Sequence, residues 1–290
     1  MLFRSYRLCF TRPFDGVFRP ASTIDEPDEA LVRALQSANP GGTIQERGWM
    51  FEQTHNSGKV LASRNGMARW FLPGHFLTGK GAGVEAAKDD AISVFVMRES
   101  TSEQRGYYMA FGATISHDDE HAHVLRFYWN VSLQGVPLLM SVLTRELNRF
   151  TVPFLLKCGA MPDMYDRSDA AVLYVHRRYY GITARIIACN YPRLAAVLEP
   201  HTPLFTRRLA DGLAFAEDPK DGKSFGMSRC EIVAEALRAC HEQALETAEQ
   251  RRAELLQRFR SRGIDPERPY LNRDSRDTYE FPPLESPPLP

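Results

Sequence analysis

Four short stretches of this 290-residue chain carry cationic or titratable side chains where apolar ones would be ordinary. In LRFYWN the period of two places Arg126, Tyr128 and Asn130 on one strand face, with Leu125, Phe127 and Trp129 on the other. A sheet with one wet face would give the same pattern. In VPFLLKCGA, Lys157 sits in an apolar strand with no acidic residue after it until Asp163. Burial disfavours the charged form of a lysine, and a lysine made neutral is a usable general base, which arginine is not. The alternative is an edge-strand lysine that guards against aggregation. In MYDRSDAAVLYV, Arg167 is flanked by Asp166 and Asp169, which read as a helix cap or a surface ion pair. In SFGMSRCEI, Arg229 falls in the expected first turn of a helix, where the dipole disfavours a cation. Free N–H groups and an arginine at such an end suit phosphate; an arginine reaching to solvent is the other reading.

The rest of the composition bounds what these residues can serve. Lys+Arg and Asp+Glu are both 36, so the chain is neutral, which discourages a general nucleic-acid or anionic-membrane role. Only six of the 36 cations are lysines, namely Lys59, Lys80, Lys88, Lys157, Lys220 and Lys223. That bias reads mainly as genomic, and five of the six lie in polar turns or loops. Cys9, Cys158, Cys189, Cys230 and Cys240 form no CxxC pair and are odd in number. A disulfide framework or structural zinc is not expected, nor is any cofactor, and reduced thiols suit a cytoplasmic protein. DDEHAH, with His121 and His123, reads as a solvated turn rather than a metal site. No run approaches the roughly 18 apolar residues of a membrane span, and the N-terminus lacks a signal-peptide stretch.

The elements that must hold these residues follow from periodicity. Glu29–Ser37 reads as a helix, followed by a Gly-rich loop, Ser37–Arg47. Gly48–Thr54, Lys59–Arg64 and Met67–Leu72 form a meander with turns at His55–Gly58 and Asn65-Gly66. Further strands are expected at Ala91–Met97, Gly106–Gly112, Val124–Val131 and Thr151–Cys158. A helix should start at Pro137, and Ala170–Val175 is a strand or the head of a helix. Ile182–Leu198 reads as helical. Ser228 with Glu231 predicts a capping box opening a long helix that Gly263 stops near Arg262. The Pro-rich segment 273–290 reads as a disordered tail. The expected fold is α+β: a mainly antiparallel sheet with helices packed on it and a long C-terminal helix. The expected units are residues 1–47, 48–272 and the tail.

RFYWN (126–130), NRFTVPFLLK (148–157), YDRSDAAVLY (165–174), SFGMSRC (224–230) and RPYLN (268–272) occur in this order. Together they resemble the HopA1 family over about Gly48 to Asn272. That family includes type III secretion effectors and HopA1-like proteins encoded with class V lanthipeptide precursors, and it is distantly similar to phosphothreonine lyases. Those enzymes carry a Lys-x-His pair on a strand, then a catalytic lysine, an arginine shortly after it and another further on. By order, the resemblance implies that Arg126 replaces the first lysine and Tyr128 the histidine as general acid. Lys157 becomes the base, and Arg167 and Arg229 phosphate ligands, with Asn130 beside them. The sequence departs from the pattern at the histidine, since tyrosine has a much higher reference pKa.

The implied reaction is β-elimination of phosphate from phosphoserine or phosphothreonine, giving dehydroalanine or dehydrobutyrine without metal or organic cofactor. The implied partners are a phosphorylated precursor peptide with a leader, a separate kinase and a cyclase. The leader could add a strand along the meander of residues 48–112. The alternatives are a HopA1-like protein that binds a peptide or phosphopeptide without turnover, or an effector lyase acting on host proteins.

Overall fold

The structure is a computed structural model that describes residues 2–13, 17, 26–40, 44–80, 85–114 and 123–284. A helical segment comes first, α1 (Leu2–Ser5), continuing through a wider turn, Tyr6–Phe10. α2 (Glu29–Ala38) follows, its first turn capped by the Asp28 side chain, which accepts from Leu31 N. Strands β1 (Ile44–Thr54), β2 (Val60–Arg64), β3 (Met67–Phe71), β4 (Phe76–Thr78) and β5 (Ala91–Val96) form an antiparallel sheet in the order β3-β2-β1-β5-β4. The β2–β3 turn uses Asn65 and Gly66, both at positive φ, as an Asn-Gly hairpin requires. Trp49, Phe51, Phe71, Ile92 and Val94 form this sheet's own core.

The second sheet holds the chemistry. It contains β6 (Glu99–Ser100), β7 (Tyr107–Phe111), β8 (Val124–Trp129), β9 (Leu155–Gly159), β10 (Ala171–His176), β11 (Arg207–Ala210) and β12 (Leu213–Glu217). Its order is β11-β12-β8-β10-β9-β7-β6, and every described pair is antiparallel. β8 is central because aromatic and branched side chains fit a pleat covered on both faces. Leu125, Phe127 and Trp129 share one face, where Phe127 stacks on Tyr180 of α4 (Tyr180–Leu194). α3 (Val136–Arg149) packs against α4 and buries Leu139, Met140, Leu143 and Leu147. The opposite face of β8 carries Tyr128, which meets Phe10 and Phe225 edge-on or tilted. Helices thus cover both faces of the sheet, which gives an α+β architecture.

Three sequence expectations need correction. The C-terminal helical region is two helices, α5 (Phe225–Glu242) and α6 (Ala248–Ser261). α5 starts at the Ser224 cap, so Ser228 is a buried residue inside it; the capping box belongs to Thr247 and Gln250 of α6. Gly263 does follow the last turn, at φ 71°. The tail is not disordered over 273–284: the Tyr279 ring is in the core, and its hydroxyl donates to Glu217 at 2.6 Å. The segment read as a strand or the head of a helix is strand, Ala171–His176. The DDEHAH segment up to Ala122 lies outside the described residues. Among the described residues no helix is long and apolar enough to cross a membrane.

Candidate functional site

The register of three strands assembles the site. Val172 of β10 pairs with Tyr128 of β8 on one side and with Lys157 of β9 on the other. Lys157 in turn pairs with Met109 of β7. Paired residues point to the same face, so Tyr107, Arg126, Tyr128, Lys157 and Tyr174 all project toward the N-terminal helix and the start of α5. They wall a cavity of about 40 Å³ with Tyr6, Phe10, Asp169, Ser224 and Gly226.

Lys157 makes no hydrogen bond or ion pair among the described residues. Its Nζ instead lies 3.6 Å above the centre of the Tyr107 ring. Burial lowers its pKa to about 8; Asp169 opposes this, while Arg126 and Arg167 add to it by like-charge repulsion. The Tyr128 hydroxyl is fully buried and, among the described residues, has no hydrogen-bond partner of good geometry, its nearest charged neighbour being Arg126. Burial raises its pKa, and the nearby Arg126 charge only partly offsets that. The hydroxyl therefore keeps its proton and is available as a donor to whatever fills the cavity.

Two arginines supply fixed charge. Arg126 pairs with Asp218, and its guanidinium lies 5.1 Å over the Tyr174 ring. Arg167 forks onto Asp169 with two contacts of 2.9 Å. Tyr6 joins this pair: its hydroxyl accepts from Arg167 Nη2 at 3.0 Å and donates to Asp169 Oδ2 at 3.2 Å. Two arginines against two carboxylates leave the site neutral when Lys157 is neutral. An anion binding both arginines must compete with those carboxylates. The first turn of α5 adds its positive end, since Ser224 and Gly226 line the cavity.

Arg126, Tyr128, Lys157 and Arg167 therefore come together, and two other candidates do not. Asn130 is turned to the far end of β8, where its amide donates to the His201 carbonyl at 2.9 Å. Arg229 is in the second turn of α5, 1% exposed, and donates to the carbonyls of Pro269 (2.7 Å) and Leu271 (2.9 Å). Its lowered pKa, about 10, comes from burial. RPYLN and Arg229 thus form one clamp. Asn272 of that block donates to the Asp218 carbonyl at 2.7 Å and so helps to place the partner of Arg126. The helix end near the cavity that the sequence suggested is real, but it lies at 224–226.

Sequence reasoning missed Tyr6, Phe10, Tyr107, Tyr174 and Asp218. Tyr174 was recoverable, being in register with Arg126 on the neighbouring strand; nothing local marks Tyr6. The bland reading of the two aspartates holds for Asp166, which is exposed and faces Arg12. It fails for Asp169, the buried partner of Arg167. The five cysteines are free thiols. Among the described residues no group of three His, Cys, Asp or Glu side chains could hold a metal.

The family model described as the HopA1 effector protein family matches residues 98–271. That range holds the seven-stranded sheet and α5; the small sheet and the N-terminal helix fall outside it. Among solved structures, an effector protein from Pseudomonas syringae pv. tomato strain DC3000 has a TM-score of 0.52 at 18% identity, covering 94% of this chain and 90% of its own. An effector protein from Pseudomonas syringae pv. syringae strain 61 gives 0.44 at 15%, covering 93% and 88%. The first of these likenesses shows a shared fold. No curated protein matches the chain.

Proposed function

The chain belongs to the HopA1 effector protein family, and on that premise we propose that it is a phospholyase acting on phosphoserine or phosphothreonine in a peptide. The observation that carries this reading is a buried lysine with its pKa lowered to about 8, set among two arginines and a buried tyrosine hydroxyl that keeps its proton. Neutral Lys157 takes the Cα proton. The C–H electrons form the Cα=Cβ bond, and the Cβ–O bond breaks with its pair going to the phosphate oxygen. Arg126 and Arg167 neutralise the departing phosphate, arginine being suited by its permanent charge and forked donors. Tyr128 hydrogen-bonds or protonates the bridging oxygen. The products are inorganic phosphate and dehydroalanine or dehydrobutyrine. Arg229 and Asn130 act behind the site, as supports.

In a lanthipeptide setting a separate kinase would supply the phosphopeptide and a cyclase would join the alkene to a cysteine thiol. In an effector setting the substrate would be a host phosphoprotein. A binding protein without turnover is the second reading. It is favoured by the Lys157–Tyr107 contact, since a cation over an aromatic ring is stabilised in its charged form. Mass spectrometry on a phosphorylated peptide separates the two. Loss of phosphoric acid that Lys157→Ala abolishes supports the lyase; binding without mass loss, unchanged in Lys157→Ala, overturns it.

A further inference from the structure

The sheet face that carries Arg126 and Lys157 continues beyond the small cavity. Tyr174 walls that cavity on one side and an open groove of about 650 Å³ on the other. The groove floor is the far half of the same face. Phe111 of β7 pairs with Leu155 of β9, Leu155 pairs with Tyr174 of β10, and His176 follows two residues on. The opposite wall comes from the small sheet and the chain leaving it. There Trp70, Leu72 and Met97 line the groove although they are 38%, 46% and 40% exposed. Three large apolar side chains left open on one concavity mark an interaction surface rather than scatter. β6, the outer strand of the seven-stranded sheet among the described residues, also lines the groove through Glu99 and Ser100.

We propose that this groove holds an extended stretch of substrate polypeptide on one side of the phosphorylated residue, with an apolar side chain seated among Trp70, Leu72 and Met97. The proposal rests on the phospholyase reading of the adjoining cavity. Continuity selects the occupant: only a chain covalently attached to the reacting side chain needs to lie across both spaces, past Tyr174. Charge agrees. The groove lining sets Glu99 and Glu103 against a single arginine, Arg69, whereas Arg126 lies on the cavity side of Tyr174 with Lys157. A phosphate is therefore drawn past the groove, and the groove is left for uncharged and apolar parts of the chain. Its volume falls within the range of about 300–1,000 Å³ common for ligand sites.

The test compares the full chain with Trp70→Ala and Met97→Glu, both at exposed positions. The probes are a long randomised phosphothreonine peptide library and a minimal substrate, N-acetyl-phosphothreonine methylamide. Both variants should eliminate phosphate from the minimal substrate like wild type. On the library they should lose roughly tenfold or more in kcat/KM, the scale of one aromatic anchor, and lose wild type's preference for an apolar residue at a fixed distance from the phosphothreonine. Library retention on Lys157→Ala protein, with phosphorylated and dephosphorylated peptides, reads the groove without turnover. Failure of the lyase reading appears as no mass loss from either probe, with the positional preference intact. The groove proposal is overturned if library and minimal substrate respond alike to both variants, or if retention shows no positional preference. It is equally overturned if the variants change only self-association in sedimentation, since the face would then cover a second copy of the chain.

Discussion

The base assigned to Lys157 makes a quantitative demand on pH. Burial takes its ammonium from 10.5 to about 8, with Asp169 opposing and Arg126 and Arg167 assisting. An ordinary lysine would present a neutral amine about 300-fold less often near neutrality; Lys157 presents one about a tenth of the time at pH 7. The kcat/KM for phosphopeptide elimination reports the free enzyme, so it should rise about tenfold per pH unit below the limb and level off above about pH 8. The second ionisation of a phosphorylated side chain lies near 6, too low to produce that limb. Tyr128 is held well above its ordinary value, so its loss of a proton does not bring the rate down in the same range. Asp169→Asn removes the charge that raises Lys157, and its limb should move to lower pH. The assay is phosphate release against pH from 6 to 10. A limb near the ordinary lysine value, no limb, or the same limb in the residual activity of Lys157→Ala would refute the assignment.

The lowered pKa is also a stability cost. Above about pH 10.5 both folded and unfolded chains hold neutral Lys157. As pH falls, the unfolded chain takes up the proton first, and the folded state is penalised in full below about pH 8. Lys157→Met should therefore raise stability at pH 7 by up to about 3 kcal/mol, with the gain vanishing above pH 10.5; urea unfolding at both pH values checks this. Tyr128→Phe removes a buried hydroxyl whose one polar neighbour of note, the Arg126 guanidinium, meets it without good hydrogen-bond geometry, so thermal unfolding should change little while kcat falls about 10²–10⁴-fold. Gly226→Ala puts a Cβ 2.5 Å from the Phe10 ring and 2.6 Å from Tyr6. It should cost about 1–3 kcal/mol by overpacking and displace the N-terminal helix, measured by denaturation and by proteolysis before residue 12. Arg229→Met leaves the Pro269 and Leu271 carbonyls unpaired, a loss of about 1–3 kcal/mol for each. Loss of phosphopeptide affinity with stability unchanged would instead place Arg229 in the binding site.

Local pattern settled much of this protein. The Asn65-Gly66 hairpin, the apolar face of α3, the alternation in β8 and the misplaced-looking Lys157 are all readable from spacing alone, because strand and helix periods act over a few residues. The α+β class followed from the same periods. What spacing does not carry is partnership across the chain. Lys157 is a candidate base because residues far away in sequence, Arg126 and Tyr6 among them, close the space around it. Asp169 looked like a surface residue because its burial comes from the N-terminal helix, 163 residues away along the chain from Tyr6 to Asp169. Arg229 looked like a phosphate ligand because the sequence shows a helix start but not the carbonyls of 269 and 271 that claim its guanidinium. The Pro-rich end looked unstructured because its composition is weak in apolar residues, yet Tyr279 finds a place among Phe215 and Tyr180, and Phe281 and Leu284 pack against the same core. Sequence by itself determined which faces are apolar and which residues break them. Tertiary structure alone decided which charges are neutralised and which are left facing a cavity, since desolvation and ion pairing depend on atoms that only folding brings near.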